Sequence, residues 1–211
     1  MLDLFADKKD KILVAETYKE FREALITSRC AKCALAAGRT HIVADRGNPA
    51  AKVMIIGEAP GQNEDLQGRA FVGRAGRLLD ALLLELGFDT DRYSLIVNVV
   101  KCRPPANRAP APKEAAACFP FLRKQIELVK PKVILLLGAT ALKHLVAEKR
   151  GFAMADQVGK FFDQPEYPGI RFMALYHPAY ILRDMRRKPV MLEHLKHFMT
   201  YWERMRQPAG T

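Results

Sequence analysis

A chain of 211 residues with 49% apolar content is long enough for one large domain or two small ones around a sizeable core. Its 34 Lys and Arg against 23 Asp and Glu leave a net charge of +11, a surplus that points to a polyanion such as nucleic acid as partner. The start, MLDLFADKKDK, carries no secretory apolar region and no later run has membrane-spanning length, so a cytosolic, reducing location is expected, with no membrane partner and no disulfides.

In chain order, Tyr18, Phe21 and Leu25 recur at helical spacing and predict a helix over 14–28 that leads into a C-x-x-C pair, Cys30 and Cys33. The run Val53-Met54-Ile55-Ile56, stopped by Gly57, reads as a buried strand. Residues 78–86 predict a helix ended by Gly87, and the β-branched and aromatic stretch 93–100 a second strand. Pro112 opens a helix that reaches 129, with Pro120 marking either a kink or a later start. A third strand over 133–137, a helix over 139–147, a fourth strand over 171–176 and a closing helix over 190–206 follow. Strands alternating with helices predict a parallel sheet covered on both faces. There is no internal repeat and no low-complexity tract.

In such sheets ligands bind where strands end, in the loops after their carboxyl termini. Glu58 follows the first strand directly, Asn98 sits near the end of the second, and His177 follows the fourth, locked by Pro178. Each alone has an ordinary structural explanation, as a cap or a bonded amide. Together, a carboxylate, an amide and an imidazole at three strand ends make a pocket. His41, His144, His194 and His197 show no partner pattern and are read as structural. The glycine-rich GRAFVGRAG (68–76) is no phosphate loop, because Arg74-Ala75 stand where Lys and Ser or Thr are required. Its glycines permit close backbone approach, and Phe71 is either a core plug or an exposed aromatic face. Arg74 and Arg77 flank this loop, while Arg183, Arg186, Arg187 and Lys188 cluster after His177, as a solvated face or as phosphate contacts.

Cys102 and Cys118 complete a set of four cysteines with none left over. Two disulfides, a zinc site, an iron–sulfur cluster and four separate buried thiols all remain open on spacing alone, with metal favoured because a C-x-x-C aims two thiolates at one centre.

Four stretches carry a resemblance: GEAPGQNEDLQGRAFVGRAG (57–76), NVVKCRPPANRAP (98–110), LLLGATAL (135–142) and HPAYILR (177–183). In these the chain resembles the family 4, iron–sulfur uracil-DNA glycosylases, from the C-x-x-C to the final helix. Family 5 lacks an acid at the position of Glu58. One departure is Ala70, where the family usually has proline before Phe71. The resemblance implies a three-layer α/β/α sandwich on a four-stranded parallel sheet, with residues 1–211 forming a single, monomeric glycosylase domain that carries an N-terminal iron–sulfur segment. It implies a 4Fe–4S cluster on Cys30, Cys33, Cys102 and Cys118, and uracil-containing DNA, single- or double-stranded, as substrate. Glu58, Ala59, Phe71, Asn98 and His177 are its implied uracil-binding residues, Glu58 and His177 its catalytic pair. Arg74, Arg183, Arg186 and Arg187 are candidate DNA contacts. Gly61 stands where other uracil glycosylases place an aromatic against the thymine methyl, and the resemblance puts Glu64 near that side instead.

Overall fold

A computed structural model describes residues 11–146 and 153–207; the charged start (1–10) and the predicted last residue of one helix, Ala147, lie outside that range. Helix α1 (Tyr18–Thr27) is opened by a capping box in which Thr17 and Glu20 exchange bonds with each other's backbone. It precedes strands β1 (Arg46–Gly47) and β2 (Val53–Gly57), then helices α2 (Gln62–Gln67), α3 (Arg74–Glu85) and α4 (Thr90–Tyr93). Strand β3 (Ser94–Asn98), helix α5 (Pro112–Val129), strand β4 (Val133–Leu137) and helices α6 (Gly138–Leu145) and α7 (Met154–Gln157) follow. Strands β5 (Phe161–Asp163) and β6 (Arg171–Leu175) and helices α8 (Pro178–Arg183) and α9 (Lys188–Arg206) close the chain.

The sheet order is β1-β3-β2-β4-β6-β5, with β3, β2, β4 and β6 parallel. Every residue of β2, β3 and β4 is buried, as a sheet covered on both faces demands. Alternate residues part into two cores. Met54, Ile56 and Val97 join Phe21 of α1 and Phe121 and Ile126 of α5; Val53, Ile55 and Ile96 join Leu79 of α3 and Leu195, Phe198 and Trp202 of α9. Three layers result.

The four predicted parallel strands are present, but the sheet has six. Strands β1 and β5 pair antiparallel at its two edges and hold only two and three residues. Segments that short carry no alternation to read, yet they cover the open edges of the parallel core. Helix α5 starts at Pro112, where the Glu114 carboxylate accepts the Ala111 N–H at 2.7 Å, so Pro120 lies inside the helix and does not delay its start. Short α2, α4, α7 and α8 were not expected from periodicity. Among the described residues no helix is long and apolar enough to cross a membrane.

Candidate active site

The carboxyl ends of the four parallel strands open into one cleft of about 770 Å³, lined by Glu58, Ala59, Phe71, Asn98, Thr140 and His177 among others. All five predicted uracil-binding residues are therefore brought together. Gly57 and Asn98 are register partners on adjacent strands, which sets the floor. A Cβ on Gly57 would lie 2.4 Å from Phe71 Cζ and 2.7 Å from Asn98 Oδ1, so only glycine lets ring and amide close on the strand end together.

Asn98 is 1% exposed, and neither its Oδ1 nor its Nδ2 has a hydrogen-bond partner. A buried amide left wholly unpaired costs about 1–3 kcal/mol per group, a cost that a ligand bonding both atoms would recover. With no bond to fix its orientation, the amide is confined by its packing against Gly57.

His177 caps α8: its Nδ1 accepts the Ala179 N–H at 3.1 Å. That bond leaves the ring proton on Nε2, facing the cleft as a donor. Burial, and secondarily the Arg183 guanidinium, push its pKa down to about 4, so the ring is neutral near pH 7. The Phe71 ring lies 5.8 Å from the imidazole, centroid to centroid. Phe71 is both core plug and cleft wall, 4% exposed and packed with the α3 core. Across the cleft, the Thr140 hydroxyl, at the start of α6, donates to Glu58 Oε2 and leaves Oε1 for other work. Glu64 holds two loops together, accepting the N–H groups of Gly61 at 3.1 Å and Gly73 at 2.6 Å.

Of the candidate DNA contacts, Arg74 and Arg183 line the cleft. Arg186 and Arg187 fold back on Asp184, at 2.8 and 3.4 Å, and the Arg187 guanidinium stacks over Tyr180 at 4.1 Å.

The four cysteines, free thiols all, line a second, small cavity in the layer of α1 and α5. Cys30 and Cys33 come from the turn after α1, Cys102 from the loop after β3, and Cys118 from inside α5. No three His, Cys, Asp or Glu among the described residues are gathered as placed to hold a metal ion. Burial pushes the Cys118 thiol up to about 12 and raises Cys102. Arg39 Nη1 lies 3.6 Å from Cys102 Sγ and donates to the Cys30 carbonyl at 2.7 Å. Lys101, 1% exposed, separates this cavity from the cleft. Its ammonium donates to the Asn98 carbonyl at 2.6 Å and to Gln125 Oε1 at 2.5 Å. Gln125 Nε2 then donates to the Tyr18 hydroxyl and the Ala44 carbonyl, and Tyr18 donates to Asp45.

Reading the sequence missed Thr140 and Lys101. Both follow predicted strands, over 133–137 and 93–100, in the strand-end loops where such sheets bind ligands, but neither residue type signalled a role there, and lysines are rarely buried.

The model of the uracil DNA glycosylase superfamily matches residues 44–206, a span that contains the whole sheet and the cleft. A type-4 uracil-DNA glycosylase of Thermotoga maritima is 44% identical over 156 residues, 74% of this chain and 79% of that protein. Type-4 enzymes of Sulfurisphaera tokodaii (38% over 185 residues, covering 86% and 83%) and Pyrobaculum aerophilum (41% over 162 residues, covering 75% and 82%) are similar to it over comparable spans. The chain belongs to the type-4 uracil-DNA glycosylase family within that superfamily.

Proposed function

We propose that this chain excises uracil from DNA by hydrolysing the N-glycosidic bond of a flipped deoxyuridine, leaving an abasic site. The observation that carries the reading is Asn98, a buried carboxamide with both polar atoms free at the floor of the cleft. Uracil offers N3–H to an acceptor and O4 to a donor, which one amide can satisfy at once; cytosine presents the opposite pattern at both positions. A stacked base does not reach this depth, so the nucleotide is extruded into the cleft and lies against Phe71.

Bond cleavage develops negative charge on the uracil and positive charge on the sugar. The neutral His177 donates from Nε2 to O2 and stabilises the leaving anion as it forms. Glu58, its Oε2 held by Thr140, orients water with the remaining oxygen and offsets the sugar cation. Gly61 and Glu64 line the same cleft, and this reading assigns them the side on which thymine would carry its methyl. Arg74 and Arg183 face the strand that leaves the cleft.

The cysteine cavity fits an anionic thiolate-bound cluster. Four soft donors, from the turn after α1, the loop after β3 and α5, line it, with Arg39 and Lys101 supplying the positive charge that such an anion favours. Cys30, Cys33, Cys102 and Cys118 would hold a 4Fe–4S group, whose role there would be structural, a tie between the N-terminal segment and the loop that forms the cleft rim through Pro104, Asn107 and Arg108. The whole chain acts as one monomeric unit on uracil-containing DNA in a reducing cytosol.

Incubating the protein with a uracil-containing oligonucleotide, followed by alkali, tests the activity: strand scission at uracil is expected, and an intact strand would refute it. The purified protein should be brown with stoichiometric iron and sulfide. A colourless, folded protein carrying zinc would refute the cluster.

A further inference from the structure

Phe71 adopts φ 53°, the left-handed region that a bulky side chain enters only at a cost of about 1–2 kcal/mol. Something must hold it there, and the surrounding bonds show what. Arg46 Nη1 donates to the Phe71 carbonyl at 2.8 Å. The preceding residue is anchored to the same segment, because the Ala70 N–H donates to the Asp45 carbonyl at 3.2 Å. A proline at position 70 has no N–H to give. On the far side α3 presses against the same peptide: a Cβ on Gly76 would stand 1.8 Å from the Phe71 oxygen.

Arg46 is itself immobilised. It is 6% exposed and grips Asp80 with both terminal nitrogens, at 2.9 and 2.5 Å. Its Nη2 also donates to Thr90 Oγ1 at 3.1 Å, and the Thr90 hydroxyl donates onward to Asp80. Its Nε faces Asp91 at 3.1 Å as an ion pair without hydrogen-bond alignment. A planar fork fixed on this many sides is a rigid mount for one carbonyl.

We propose that Arg46 is a positioning residue for the base-stacking wall: by holding the Phe71 carbonyl it keeps the left-handed backbone that turns the ring into the cleft, beside His177. This rests on the reading that Phe71 stacks on the extruded base. The edge strand β1 is thereby assigned a part in base recognition as well as in closing the sheet.

The test combines a double-mutant cycle with a direct view of the ring. Arg46→Met, Phe71→Ala and the double variant are compared with the parent for inhibition by free uracil, affinity for undamaged DNA and thermal midpoint. The chemical shift of the His177 ring protons, which the nearby Phe71 ring perturbs, is followed by NMR. Arg46→Met is expected to weaken uracil binding roughly tenfold, within the range for loss of one base–aromatic stack. It should also move the His177 resonance and leave DNA affinity unchanged. In the Phe71→Ala background the same substitution should cost no further uracil affinity, although stability falls in both. An equal loss in both backgrounds, or a lower midpoint with parental uracil affinity and an unmoved His177 resonance, would overturn the proposal. A Phe71→Ala protein that binds uracil like the parent would remove the stacking reading alone, and the His177 resonance then decides whether Arg46 holds the ring. Should Arg46→Met fail to fold, Arg46→Lys keeps a charge for Asp80 and Asp91 but cannot reach the Phe71 carbonyl at the same time, and the same losses are expected from it.

Discussion

Asn98 and Gln125 are both buried carboxamides, 1% and 0% exposed, and both residues accept a bond from one ammonium, that of Lys101. Gln125 has each polar atom paired, with Lys101, Tyr18 and Ala44. Asn98 has neither side-chain atom paired, although its backbone carbonyl takes a bond from the same Lys101. Depth of burial is equal and satisfaction is opposite. The paired amide knits layers together, whereas the open one has both polar atoms available for the hydrogen bonds that the proposed function assigns to a base. His177 and Glu58 each show the same division within one side chain, one polar atom committed to the frame and the other facing the cleft.

The largest effect should come from the open amide. Asn98→Asp should abolish uracil excision, because a carboxylate accepts from N3–H but cannot donate to O4, and any gain on cytosine should be small. Asn98→Leu should also be inactive, yet no less stable than the parent, because it removes polar atoms that nothing satisfies. An Asn98→Leu protein that melts well below the parent would show that this amide is structural and break the comparison.

The half-committed groups come next. His177→Ala should slow single-turnover excision by about two to three orders of magnitude while leaving DNA binding intact, the usual penalty for losing one donor to a developing anion. Glu58→Gln keeps the shape and the bond to Thr140 but loses the charge that favours the sugar cation, so it should bind DNA and react slowly. Parental rates in both variants would place the chemistry elsewhere.

Gln125→Leu should do the reverse of Asn98→Leu. It strips a bond from a buried ammonium, takes from the Tyr18 hydroxyl one of its two bonds and leaves the Ala44 carbonyl without its side-chain donor, so denaturant unfolding should show a loss of about 2–3 kcal/mol. Activity at temperatures where the variant remains folded should fall far less than in the Asn98 variants.

What could be read in the sequence follows the same division. The four parallel strands were legible because their apolar runs are buried on both faces, and Glu58, Asn98 and His177 because each adjoins the end of such a run. Strands of two or three residues have no pattern, which hid β1 and with it Arg46. Thr140 matters only because β2 and β4 are neighbours in space, and Lys101 only because its charge is buried, and neither fact is local to the chain. The basic cluster after His177 was legible as a charge run, but Asp184 within it set Arg186 and Arg187 apart from Arg183 in a way composition did not reveal.

The imidazole gives a smaller, pH-dependent effect. Its folded pKa, about 4, lies below the ordinary 6.5, so between those values the unfolded chain binds a proton here that the folded chain refuses. Stability should therefore fall as pH drops through that window, and this contribution should be absent from His177→Asn when the two proteins are unfolded by denaturant at pH 7, 6 and 5. Equal slopes in both would mean that His177 is protonated in the fold, contrary to a ring whose Nδ1 accepts from Ala179.

The smallest effect carries the comparison to the surface. Arg183 lines the cleft and pairs with no carboxylate among the described residues, while Arg186 is 91% exposed in its side chain and already bonded to Asp184. An arginine free to meet a phosphate releases counterions on binding; one that must first leave an aspartate gains less. Binding of undamaged DNA should weaken with salt in every variant. Arg183→Ala should reduce the slope of log affinity against log salt by about 0.7–0.9, one phosphate contact, and Arg186→Ala by clearly less. Asp184→Asn, which frees Arg186 and Arg187 together, should tighten DNA binding at low salt and leave the rate at saturating enzyme unchanged. If Arg183→Ala and Arg186→Ala reduce the slope equally, pairing with Asp184 does not hold these arginines back, and the division between committed and available groups stops at the cleft.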